Sequence, residues 1–159
     1  LSHCLIGPYH CAINPRSLFL LNKLDIKREL FMPSHHPDPN LNQRNVLGTF
    51  LASCCFDPIT GYYRNGFCHT GPQDVGQHTV CAKMTSEFLN FSAKTGNDLI
   101  TPVPEFGFPG LKPGDYWCIC ALRWLDALDH DMAPQIKLEA CHESLLELVD
   151  METLKKYVL

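Results

Sequence analysis

Four familiar catalytic signatures are missing from this 159-residue chain. It has no Gly-x-Gly-x-x-Gly, no phosphate-binding P-loop, no Gly-x-Ser-x-Gly and no His-Glu-x-x-His, which removes the usual support for nucleotide-dependent and common hydrolase chemistry. No two cysteines are spaced Cys-x2-Cys, the ordinary knuckle of structural zinc. No apolar run approaches the roughly 20 residues that span a bilayer. The longest near the start is Leu18-Phe19-Leu20-Leu21, which gives neither a transmembrane segment nor a secretory signal. Charge is modest at 19% of residues and nets to −4. Residues 1–44 carry five basic against three acidic side chains, a balance of +2, which leaves −6 for residues 45–159. An acidic domain without a basic stripe is a poor grip for a phosphate backbone, and no nucleic-acid partner is expected.

What is present concentrates between Cys54 and Cys81. Four of the nine cysteines lie there, beside Asp57, Arg64, His69, Asp74 and His78, on a chain of turns made by Gly61, Gly66, Gly71, Gly76, Pro58 and Pro72. Ordering so turn-rich a segment costs conformational entropy, so other elements must clamp it. An odd number of cysteines without a signal peptide favours free thiols. The chain opens on Leu1 rather than methionine, so a processed chain or a trimmed fragment is expected.

The organisation reads as an N-terminal extension, residues 1–44, followed by one compact domain, residues 45–159. In the extension, Asn14 and Pro15 open a helix over about 15–30 with an apolar stripe of Leu18, Leu21, Leu24 and Leu30. A Pro- and Asn-rich linker follows over 33–45. The dipeptides His3-Cys4, His10-Cys11 and His35-His36 are read as solvated rather than metal-binding.

In the domain, alternation predicts a strand from His78 to Met84 with Val80, Ala82 and Met84 on one face. Thr85 caps a helix over 86–95, and Tyr116 to Ala121 form a buried strand leading into a helix from Leu122 to about His130. Pro134 to Ala140 form another strand, His142 starts a helix carrying Leu145, Leu146 and Val149, and Asp150 caps a last one. The long 97–115 loop is pinned by Phe106 and Phe108. Strands and helices mixed at this spacing predict a small α+β fold on a mainly antiparallel sheet with flanking helices and long ordered Gly/Pro-rich loops.

Four constellations could carry chemistry. A nucleophilic set would pair Cys55 or Cys68 with His78 or His142 as base and Asp57 or Asp74 as orienting group, but a reactive thiol needs an electropositive setting and Arg64 is the loop's one cation. A zinc site could draw on Cys54, Cys55, Cys68, Cys81, Cys118, Cys120, His78 and His142, with spacing as its weakness. Cys118 and Cys120, two apart on a strand, share a face and could chelate or pair, although small polarizable residues also simply pack well in a core. Arg64 and Arg123, flanked by Tyr62-Tyr63 and by Trp117 and Trp124, could bind an anion against aromatic rings. The competing reading is an internal ion pair with Asp57, Asp74, Asp98 or Asp115.

The ordered motifs Cys54-Cys55-x-Asp57-Pro58-x-Thr60-Gly61-Tyr62-Tyr63-Arg64-x-Gly66, Asp74-x-Gly76-x-His78-Thr79-Val80-Cys81-Ala82, Gly96-Asn97-Asp98-Leu99, Phe108 to Asp115 and Trp117-Cys118-x-Cys120-Ala121-x-Arg123-Trp124 resemble a known family. It is the domain of unknown function 2237 family of bacterial and eukaryotic proteins, matched over about residues 45–159. The resemblance implies a fold and a site location and transfers no reaction. Two positions depart from the family pattern: Asn65 stands where an aspartate is usual, and Cys141 where a threonine usually precedes the histidine matching His142. If the family has a catalytic centre using that aspartate, this chain has lost it. The reading that follows is a non-catalytic accessory subunit of a larger organellar assembly, mitochondrial and for example respiratory-chain, docking on other protein subunits through residues 1–44. A trimmed fragment would instead point to the cytoplasm. The alternatives are a thiol-dependent or metal-binding small enzyme and an anion-binding module.

Overall fold

The computed structural model describes residues 42–159; the expected helix over 15–30, most of the linker and the three His-containing dipeptides lie outside them. At its centre are two short antiparallel strands, β1 (Val80–Lys83) and β2 (Tyr116–Ile119), in the register Val80 to Ile119 and Cys81 to Cys118. Val80, Cys81 and Ala82 are all fully buried, so both faces of β1 are covered. The alternation in the sequence assigned only one face because Cys81 is small and apolar enough to serve the second.

Helix α1 (Ser86–Lys94) starts where the cap requires it: Thr85 is extended and its hydroxyl accepts from Phe88 N at 3.1 Å. Phe88 and Leu89 bury its inner face. Helix α2 (Ala121–Asp129) packs against α1 and follows β2 directly, with Cys120 at its N-cap position, so the expected strand ends at Ile119 rather than Ala121. Helix α3 (Met151–Lys155) is capped by Asp150, whose Oδ1 accepts from Thr153 N at 2.9 Å. The result is a small α+β domain with one core around Val80, Phe88, Phe108, Trp124, Ile136, Leu145 and Leu154.

Two expectations change. Residues 134–140 do not form a full strand: Lys83 N donates to Gln135 O and Lys137 N to Cys81 O, both at 2.9 Å, and the chain then tightens into a 3-10 turn, Leu138–Ala140. Pairing is reduced to bridges of Ile136 with Ala82 and Val158. After His142 the chain makes a 3-10 turn, Glu143–Glu147, rather than an α-helix, which buries Leu145 and leaves Leu146 exposed. The 97–115 loop is pinned by Phe108, whose ring meets Trp117 edge-on at 5.4 Å, while Phe106 is exposed.

Candidate functional site

The segment from Cys54 to His78 lies against the free edge of β2. Cys54 N donates to Gly66 O at 2.8 Å and Gly66 N to Thr60 O at 3.0 Å, closing the first turn of the loop on itself. Gly61 and Gly66 both have φ in the left-handed range, and a Cβ on either would collide, with the Phe67 carbonyl and the Phe56 ring respectively. Thr60, fully buried, supplies the hydrogen bond that an edge strand otherwise lacks: its hydroxyl accepts from Cys118 N at 2.8 Å. Thr60 stands in the motif that carries the family resemblance, but a lone threonine in a turn has no pattern that would reveal this role.

Four sulfurs meet under this loop. Cys54 is bonded to Cys81 and Cys68 to Cys118, which corrects the expectation of free thiols. Cys68 is therefore no nucleophile in this state. Cys55, outside both bonds, turns its thiol to the carbonyl of Asp57 at 3.2 Å rather than to an imidazole. Cys120 stands at the N-cap position of α2 instead of sharing a strand face with Cys118. Burial pushes the Cys141 thiol up to about 12, which makes it inert as a nucleophile.

The histidines fall into two tautomeric groups. Asp74, its side chain fully buried, accepts from His78 Nδ1 at 2.6 Å, His78 N at 2.8 Å and Thr70 Oγ1 at 3.0 Å. The His78 ring, half-exposed, stacks with Tyr62 at 6.0 Å. His142 is the reverse: its Nδ1 accepts from Ser144 N at 3.1 Å and lies 2.8 Å from Ser144 Oγ. Burial lowers its pKa, partly opposed by Glu143, Glu147 and Asp74, so the neutral ring is favoured. His69 resembles His142. Asn65 Oδ1 accepts from Phe67 N at 3.2 Å, which fixes the amide so that Nδ2 donates to His69 Nδ1 at 3.0 Å. The same ring stacks on Phe67 at 4.9 Å.

The anion-binding set does not converge. Arg64, at φ 53°, lies over Trp117 at 4.8 Å, and its Nη1 makes one long contact of 3.4 Å to Ile59 O. Burial lowers the pKa of its guanidinium. The expected carboxylate partners are engaged elsewhere: Asp74 with His78, Asp98 with Ile100 N and Thr101, and Asp115 with Lys112. Arg123 donates to Thr95 O at 3.1 Å at the C-terminus of α1, a favourable place for a cation. Trp124 is buried against Tyr157 and donates to Pro134 O. Asp57 instead lines a cleft of about 350 Å³ with Pro58, Ile100, Leu111, Lys112 and Asp115.

No helix among the described residues is long and apolar enough to cross a membrane. The protein is thus of a small α+β class whose one elaborate loop is tied by sulfur to a two-stranded sheet. Residues 44–158 match the family described as uncharacterized protein conserved in bacteria (DUF2237), and the chain belongs to that family. No curated protein matches it.

Proposed function

We propose that this protein is a non-catalytic accessory subunit of a larger organellar assembly, mitochondrial and of respiratory-chain type, held to its neighbours through residues 1–44. The observation that carries the reading is the Asn65 to His69 hydrogen bond. An aspartate, the residue that the family resemblance leads one to expect here, can only accept, so it would place the proton on Nδ1 and stabilise a charged ring. Asn65 donates instead, so Nδ1 must accept. At that ring nitrogen a carboxylate contact is replaced by an amide contact, which favours a structural over a proton-transferring use of the pair. Leu47 and Phe50, next to the extension, are 51% and 67% exposed, apolar surface of the kind a neighbouring subunit covers. The two disulfides support a setting in which thiols are not kept reduced, as on the oxidising side of an organelle. The test is the size of the protein in a native extract. It should migrate far above its 18.0 kDa, and Leu18→Ser with Leu21→Ser and Leu24→Ser should release it as a folded monomer. A native protein that runs as a monomer sinks the reading.

Arg64 favours a second reading, an anion-binding module, because its guanidinium is half-buried on Trp117 and pairs with no carboxylate among the described residues. Inorganic phosphate, titrated against the full chain, should then bind with an affinity that Arg64→Gln lowers about tenfold, the effect of one charge-assisted hydrogen bond. Equal binding by the variant removes this reading.

A further inference from the structure

The two disulfides are neighbours. Cys81 and Cys118 are direct partners across β1 and β2, with their backbone groups turned outward: Cys81 O accepts from Lys137 and Cys118 N donates to Thr60. That is the close, non-hydrogen-bonded type of antiparallel pair, with Cα atoms about 4.5 Å apart and side chains on one face. The loop brings Cys54 and Cys68 down onto these two. The sulfurs of Cys54, Cys68 and Cys118 all lie within 4.8 Å of one another, and Cys81 is bonded to Cys54. A tetrahedral site with metal–sulfur bonds of about 2.3 Å needs its sulfurs about 3.8 Å apart. Strand register thus supplies what a Cys-x2-Cys knuckle supplies elsewhere.

We propose that Cys54, Cys68, Cys81 and Cys118 form a four-thiolate site for a tetrahedral divalent cation of the zinc type when both disulfides are reduced. Cys55, Cys120, His78 and His142 lie outside it. Two molecules of a dithiol supply the electrons: each protein S–S bond breaks, its two sulfurs gain two electrons and two protons, and each dithiol closes to a cyclic disulfide. The cation then displaces four protons and forms four metal–sulfur bonds, a site of net charge −2. Lys137, 3.5 Å from Cys54 O and 5.0 Å from the Tyr116 ring centroid, places a cation beside the cluster. The same four residues can therefore hold the loop in an oxidising or a reducing compartment, with covalent bonds in one and a metal in the other.

The test uses the full chain, reduced anaerobically with dithiothreitol, and zinc or cobalt(II) alone. One metal per chain should bind with release of four protons, and cobalt should show the visible absorption of a tetrahedral thiolate centre. Alkylation mapped by mass spectrometry should slow at least about 100-fold at Cys54, Cys68, Cys81 and Cys118 on metal addition, with Cys55 unchanged. The oxidised chain should take up none. Equal uptake by the oxidised chain, alkylation rates that ignore the metal, or protection that moves to Cys55 would each overturn the proposal. A reduced chain that binds no metal overturns it as well. None of these outcomes depends on whether the protein is an accessory subunit.

Discussion

Replacing Cys68 with serine in the oxidised protein is expected to lower its stability by about 4 kcal/mol, the chain entropy released by opening a ring of this length. The Cys68–Cys118 bond closes a sequence separation of 50 residues and the Cys54–Cys81 bond one of 27. The corresponding loss for Cys54→Ser is about 3.5 kcal/mol, so the longer ring should lead by a small margin. In a domain of this size 4 kcal/mol lowers the melting temperature by roughly 15 °C. Differential scanning calorimetry in the absence of reductant measures it. A Cys68→Ser protein that melts within about 2 °C of the parent would mean that the native protein does not use this cross-link.

The second large effect is expected at Asp74, where alanine should cost about 3 kcal/mol. The carboxylate is wholly buried and receives three hydrogen bonds, two of them from His78. Removing it leaves the His78 amide and ring N–H facing an empty space, and each stranded donor costs about 1–3 kcal/mol. Asparagine retains an acceptor and should cost less. Hydrogen exchange should show loss of protection centred on residues 70–79 in the alanine variant, with α1 unaffected. A loss below about 0.5 kcal/mol, the level of an ordinary surface change, would show that Asp74 does not clamp the loop.

Features set by neighbours in sequence were legible. Thr85 and Asp150 were identified as caps, and both hold their helices by the expected side-chain bonds. That the segment from Cys54 to Cys81 is clamped by other elements was legible too, because so turn-rich a stretch must be held to be ordered. Features set by distant neighbours were not. Four cysteines allow three pairings, and which one forms depends on the register that puts Cys81 opposite Cys118. The strand expected over 134–140 has the right alternation, but its length is cut by the 3-10 turn that follows. Arg64 was matched with aspartates by charge alone, while each of Asp74, Asp98 and Asp115 finds a nearer donor in its own turn. The asparagine at position 65 is plain in the sequence, whereas its bond to the His69 ring nitrogen needs the geometry of both partners.

The two cross-links interleave along the chain, 54 to 81 and 68 to 118, rather than nesting. A protease that nicks the backbone once anywhere between those outermost cysteines produces two pieces that stay covalently joined. Such damage would leave the apparent size on a non-reducing gel unchanged and show itself only once the sulfur bridges are opened.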